Sequence, residues 1–203
     1  MTVTIQYNSK FSDSTLSSYT QAWATKNGDI RQAEWKDYDT FTGDFVGDFH
    51  NQYTVGSSHG TEAAMVVRGS IRCAAQPCIF YGTIENLELG DHYDFGVNSQ
   101  QLDERQLILS GLDIIGEYDA TKTMAENEQG EAHKVVYGLM CGNATPLLDM
   151  LQAKGIDINT PLKDMAIARQ YDTTSEVLAD TPVIINTVGM ADGTDVTIVL
   201  LAA

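Results

Sequence analysis

Between residues 52 and 115 the chain reads as strand after strand, and no helical period interrupts it. Alternating apolar residues mark predicted strands at 52–55, 64–67, 70–73, 78–89 and 106–115, with Gly111 as a bend in the last. The gaps between most of them are short, so the connections are local hairpins and the pairing is antiparallel. Amphipathic helical periods collect instead near the start and after residue 130. Strands gathered in one block with helices outside it define an α+β domain: one large antiparallel sheet with helices packed on one face.

The flanking segments fit that scheme. Residues 2–7 alternate Val3, Ile5 and Tyr7 as a strand. Asp13 or Ser14 caps a predicted helix that runs to about Lys26, with Leu16, Tyr19 and Trp23 as its buried stripe and Asn27-Gly28 as its stop. Residues 28–50 have neither period and carry Phe41, Phe45 and Phe49; a long aromatic loop of this kind is often functional. Gly90 to Gly96 reads as another loop. Later helices are predicted from Glu131 to about Cys141, from Thr145-Pro146 (N-cap and first residue) to Lys154, and from Thr160-Pro161 onward with Leu162, Met165 and Ala166 inward. Short apolar runs follow at 183–188 and 196–200.

Charge narrows the partners. With 12 Lys and Arg against 28 Asp and Glu, the net charge is −16, which disfavours nucleic acid and anionic membranes. No run of about 18 apolar residues is present, so no membrane insertion is expected. The first ten residues lack the apolar stretch of a signal peptide.

Catalytic patterns are missing. His133 and Cys141 lie eight residues apart on one predicted helix, about 12 Å of rise, too far for a direct hydrogen bond. Neither Gly-x-Ser-x-Gly nor His-Glu-x-x-His occurs, and no enzyme activity is expected. His92 with Asp91 and Asp94 reads as a solvated turn, and His50 and His59 as isolated loop histidines. Cys73 and Cys78 flank Ala74-Ala75-Gln76-Pro77, a four-residue hairpin loop that sets them opposite one another. They are either a disulfide or thiols able to ligate a metal or heme iron. His133, Val136, Tyr137 and Met140 share one helix face, which serves as core packing and also suits a flat apolar cofactor.

Several segments, in order along nearly the whole chain, resemble the HasA-type hemophores, secreted bacterial proteins that capture heme. They are Ile5-Gln6-Tyr7-Asn8-Ser9, Trp23-Ala24 followed by Gly28-Asp29-Ile30, Gln52-Tyr53, Gly56-Ser57-Ser58-His59, the run His133 to Met140, and Leu200-Leu201-Ala202-Ala203 at the end. The resemblance implies a strongly curved antiparallel sheet with helices on the other face, and non-covalent heme b held between two loops by an axial His and an axial Tyr backed by a second His. It further implies delivery to an outer-membrane receptor, hemoglobin as a heme source, and export by a type I exporter that reads a C-terminal signal. On that basis residues 1–188 form the hemophore-like domain and 189–203 the secretion tail.

The resemblance breaks at the ligands. Gln32 stands at the axial His position, Cys73 at the axial Tyr position and Cys78 at the supporting His position. Two readings follow. In one, the Cys73 thiolate replaces the phenolate as the iron ligand, with Cys78 as its partner. In the other, Cys73 and Cys78 are joined, and heme is held more weakly against Trp35, Tyr38, Tyr137 and Met140, or through Tyr81 or Cys141. The expected cofactor-binding set is therefore Gln32, Trp35, Cys73, Cys78, His133, Tyr137 and Met140, with Cys73 as the metal ligand. A hemophore fold that has lost heme and binds a protein partner or another ligand is the alternative function.

Overall fold

The computed structural model describes residues 2–33, 44–46 (backbone only), 51–74, 78–93 and 102–171. Trp35, Tyr38, His50, Asp94, both late apolar runs and the 189–203 tail lie outside the described residues. Seven strands form one sheet in the order β2-β3-β4-β5-β6-β1-β7. They are β1 (Thr4–Asn8), β2 (Asp44–Val46), β3 (Gln52–Gly56), β4 (Ala63–Ala74), β5 (Ile79–Tyr93), β6 (Leu102–Gly116) and β7 (Ala168–Tyr171). Neighbours pair antiparallel except β1 and β7, which run parallel and make the sheet mixed.

The centre of the sheet is longer than its sequence pattern suggests. Segments 64–67 and 70–73 are one strand, β4, whose register against β5 shifts between Arg68 and Gly69. A bulge, not a turn, joins them. Across from it, Gly82 has φ +100°, and a Cβ there would collide with the Ser70 carbonyl oxygen. β5 also continues through Gly90, Asp91, His92 and Tyr93, where a loop is predicted. Asp91 is held in place because it accepts from Lys26 Nζ at 2.7 Å and from Gln106 Nε2 at 2.8 Å. Those bonds outweigh the loop-like composition.

The helices are α1 (Leu16–Asn27), α2 (Met124–Asn127), α3 (Glu131–Met140) and α4 (Thr145–Ala153). Thr15, one residue past the expected caps, starts α1. It accepts from the Ser18 amide at 3.0 Å, while Ser18 Oγ accepts from the Thr15 amide at 2.9 Å. Along α1, Leu16, Tyr19, Thr20, Trp23, Ala24 and Asn27 are buried. Trp23 Nε1 donates to the Gly90 carbonyl at 3.0 Å, and Tyr19 OH donates to Gln106 at 3.0 Å, fixing the helix on β5 and β6. The N-cap of α4 is Ala144, not Thr145. After Pro161 only a 3-10 turn, Leu162–Asp164, forms. The chain then extends into β7, since Ile5 donates to the Ile167 carbonyl at 3.0 Å and draws the segment onto β1.

The main core lies between the sheet and α1, α3 and α4. It includes Ile5, Leu87, Leu107, Leu109, Val136, Leu139 and Leu151, all at 2 % exposure or less. Each such side chain contributes roughly 1.5–3 kcal/mol by leaving water. A smaller cluster of Ala64, Val66 and Leu102, with Tyr93 against it, occupies a separate position on β4 to β6.

Candidate functional site

Three chain segments converge at one end of α3. Gly28 ends α1 at φ +84°, a conformation that favours glycine, and a Cβ there would strike the His59 ring. Ser57 Oγ donates to the Asn27 carbonyl at 2.8 Å and Thr61 Oγ1 to the Lys26 carbonyl at 2.8 Å, so the 57–61 turn closes the helix C-terminus. From the other side, Asn27 Nδ2 donates to the Leu139 carbonyl at 3.2 Å. Asp29 and Cys141 then form a backbone bridge that seats the 3-10 turn Ile30–Gln32 beside the end of α3.

Within that turn Asp29 is the organiser. Its carboxylate accepts from the Arg31 amide at 3.0 Å, from Arg31 Nε at 2.9 Å and from the other guanidinium nitrogen at 2.8 Å. The Arg31 hydrogen bonds hold the Asp29 carboxyl below the usual carboxylate range, against a smaller opposing effect of burial. Gln32 is exposed, and its side-chain amide donates to the same carboxylate at 3.4 Å. Its free carbonyl oxygen is a weak, neutral donor toward iron.

A ladder of rings runs along α3 away from this turn. Tyr137 stacks on His133 with centroids 5.0 Å apart and planes 17° apart. His133 stacks on Phe80 at 6.0 Å, and Phe80 meets Tyr53 at 4.8 Å. Their rungs come from the i, i+4 spacing of α3 and from inward positions of β5 and β3. The Phe80 amide donates to His133 Nδ1 at 3.3 Å, so that nitrogen is the unprotonated one. Burial lowers the His133 pKa, with Glu128 opposing, and the ring is neutral. His133 therefore stands behind Tyr137 as a support. Tyr137 is half-buried, Met140 is buried one turn on, and Cys141 is half-buried at the helix end. Burial raises both the Tyr137 hydroxyl and the Cys141 thiol, and Arg31 draws each of them back.

The hairpin between β4 and β5 reaches the same ladder from the strand side. Cys73 is opposite Phe80 and Ala74 opposite Ile79, so Cys78 lies just outside the pairing and not directly across from Cys73. The two are nonetheless joined as a disulfide, with Cα atoms 5.4 Å apart. Cys73 is exposed, Cys78 half-buried against the core, and residues 75–77 are outside the described set. Cys141 is the free thiol.

The structure thus brings Gln32, Cys78, His133, Tyr137 and Met140 into one connected region, with Asp29, Arg31 and Phe80 as members that sequence reasoning had not selected. Gly-Asp before a short turn was a visible signal for Asp29; nothing in the sequence marked Phe80. Tyr81, on the other side of β5, instead meets Tyr118 at 5.7 Å. Among the described residues no group of three or more His, Cys, Asp or Glu is placed to hold a metal ion. Of the two residues expected to face a flat ligand, Tyr137 is half-buried and Met140 is packed in the core at 5% exposure. Toward an iron atom the described residues here offer the Gln32 side-chain oxygen, the Tyr137 hydroxyl and the Cys141 thiol, while Cys73 and Cys78 are joined to each other.

A mixed sheet with helices packed on it, carrying an aromatic helix face with two short turns beside it, is an α+β fold of the kind found in solved structures similar to it. The chain belongs to the Heme-binding protein A (HasA) family, whose model matches residues 1–203. It is 26% identical over 193 residues to the hemophore HasA of Serratia marcescens, covering 88% of this chain and 100% of that one. Among solved structures it is similar to the apo hemophore HasA from Yersinia pestis, at 38% identity and TM-score 0.80, with 84% of this chain and 99% of that chain covered. The holo hemophore HasA from Yersinia pestis matches at 37% identity, TM-score 0.80 and the same coverage. Proteins of this family are heme carriers, and the chain is not an enzyme.

Proposed function

We propose that this chain is an extracellular hemophore that takes up one heme b non-covalently at the end of α3 and passes it to an outer-membrane receptor. The observation that carries the reading is the end-to-end family match, with a holo relative at 37% identity. In this reading Tyr137 presents the apolar surface with Met140 packed beneath it in the core, and His133 fixes the Tyr137 ring by stacking and is itself fixed by the Phe80 amide. Heme supplies the iron cargo; the protein binds it and excludes water from its faces. Hemoglobin is the proposed source, and the 189–203 tail is the signal read by a type I exporter.

The acidic charge keeps such a protein soluble and dispersed after secretion. Titrating the purified protein with hemin and following the Soret band tests the function. Saturation at one equivalent is expected. An unchanged hemin spectrum would select the other reading, a hemophore fold that binds a protein partner; the tied Gln32 and the joined Cys73 and Cys78 are what favour it.

A further inference from the structure

We propose that the hydroxyl oxygen of Tyr137 is the iron ligand of this heme site, supplied by α3 and not by the hairpin between β4 and β5. The inference rests on the hemophore reading and sharpens the part Tyr137 plays in it, from a surface beside the ligand to the atom that holds the iron.

Three observations carry it. First, the ring is held in one orientation. One of its faces is stacked on His133, with centroids 5.0 Å apart and planes 17° apart. His133 is itself 5% exposed, its Nδ1 accepts from the Phe80 amide at 3.3 Å, and Phe80 meets Tyr53 at 4.8 Å. A donor fixed in this way loses little freedom when its ligand arrives. Because His133 lies face to face with the Tyr137 ring, it steadies that ring by contact and takes no proton from the hydroxyl.

Second, a cation is placed for the charge that ligation creates. The backbone bridge between Asp29 and Cys141 seats the Ile30–Gln32 turn at the end of α3. Arg31, from that turn, acts on the Tyr137 hydroxyl against the larger effects of burial and of Cys141. A nearby positive charge favours the anionic form of an oxygen donor.

Third, the other donors here are weaker or committed. Gln32 offers a neutral oxygen, and its amide nitrogen donates to Asp29 at 3.4 Å. Burial holds the Cys141 thiol protonated, with the Asp29 charge adding to the effect and Arg31 opposing it, and the thiol interacts with both Asp29 and the Tyr137 hydroxyl. Its sulfur is one bond from a Cβ on backbone that is bridged to Asp29. The Tyr137 oxygen stands a full ring's length out from the same helix, on a half-buried side chain. Cys73 and Cys78 are joined to each other.

The step is a ligand exchange. The Tyr137 hydroxyl gives its proton to the hydroxide that ferric hemin carries in water, the phenolic oxygen takes that place on the iron, and the hydroxide departs as water. No electron moves and no co-reactant is needed. Tyrosine oxygen is an established axial ligand class for heme iron.

The experiment uses the full-length protein as wild type, Tyr137→Phe and Cys141→Ala, each titrated with ferric hemin and, separately, with metal-free protoporphyrin IX. Tyr137→Phe keeps the ring that stacks on His133 and removes the oxygen alone. Ligation predicts hemin binding weakened by roughly tenfold or more in Tyr137→Phe, since even a group that only supports a metal ligand is typically worth that much. Protoporphyrin binding should be unchanged by the same substitution, and Cys141→Ala should bind hemin as the wild type does. Resonance Raman spectra of the hemin complexes give a direct readout. Phenolate bands that shift when the protein is made with ring-deuterated tyrosine should be present in wild type and Cys141→Ala and missing in Tyr137→Phe. Phenolate bands that persist in Tyr137→Phe, their absence from the wild type, equal losses for hemin and protoporphyrin, or a loss in Cys141→Ala in place of Tyr137→Phe would each overturn the ligand role and leave the hemophore reading standing. Hemin left unbound by the wild type would overturn both.

Discussion

Replacing His133 with Phe removes a polar contact that ties the aromatic ladder to the sheet. The Phe ring is somewhat larger but keeps an aromatic side chain that can stack on Tyr137, and it removes the acceptor for the buried Phe80 amide. An unpaired buried amide costs about 1–3 kcal/mol, so the variant should be less stable by that amount at pH 7.5. A pH effect follows with a definite sign. The fold holds His133 neutral and lowers its pKa, so the unfolded chain binds more protons once the pH drops below about 6.5. Stability from this group is complete above that value and is lost on acidification, by at most about 1.4 kcal/mol per pH unit. Carboxylates held low, such as Asp119, Glu126 and Asp157, act in a more acid window and cancel between the two proteins. Urea unfolding at pH 7.5 and 5.5 should show the gap between wild type and His133→Phe narrowing by up to about 1.4 kcal/mol. A constant gap, or a variant as stable as wild type at pH 7.5, would refute the buried-acceptor reasoning.

Other substitutions probe separate links. Gly82→Ala puts a Cβ at φ +100° against the Ser70 carbonyl oxygen, and should lower the urea midpoint by the equivalent of about 2 kcal/mol or more. Thr15→Ala breaks the α1 capping box and should cost about 1 kcal/mol in the same assay. Gln32→Ala should leave hemin affinity unchanged in a Soret titration, because the Gln32 amide is exposed and spent on Asp29; a marked loss would show that Gln32 touches the heme.

What could be read in the sequence was what a single period encodes. Leu16, Tyr19 and Trp23 gave α1, the stripe His133, Val136, Tyr137 and Met140 gave α3, and alternation gave β3 to β6. The misses occur where distant contacts overrule local composition. Gly69 looked like a strand end, yet a bulge carries β4 through it. Gly90-Asp91 looked like a loop, yet Lys26 and Gln106 hold Asp91 within β5. β7 has no apolar alternation at all, and its place beside β1 is set by backbone pairing together with the packing of Ile167 and Ala168 against the core. The spacing of Cys73 and Cys78 left a disulfide and a pair of ligating thiols both open and set the two opposite one another; they are joined, with a register offset from direct opposition. That Asp29 would hold Gln32 and Arg31 together depends on side-chain bonds that no spacing rule encodes.

The central claim is where heme sits, and nuclear magnetic resonance with ferric hemin tests it most directly, since the paramagnetic iron broadens nearby amide signals. At one equivalent of hemin, the account predicts loss of the signals of Asp29 to Gln32, Ile79, Phe80 and His133 to Cys141. Signals of Ile156, Asp157, Thr160, Asp164 and Met165 should stay sharp; these residues help line a cavity of about 690 Å³ that shares no residue with the site. Broadening at that cavity instead, with the α3 face unaffected, would contradict the account.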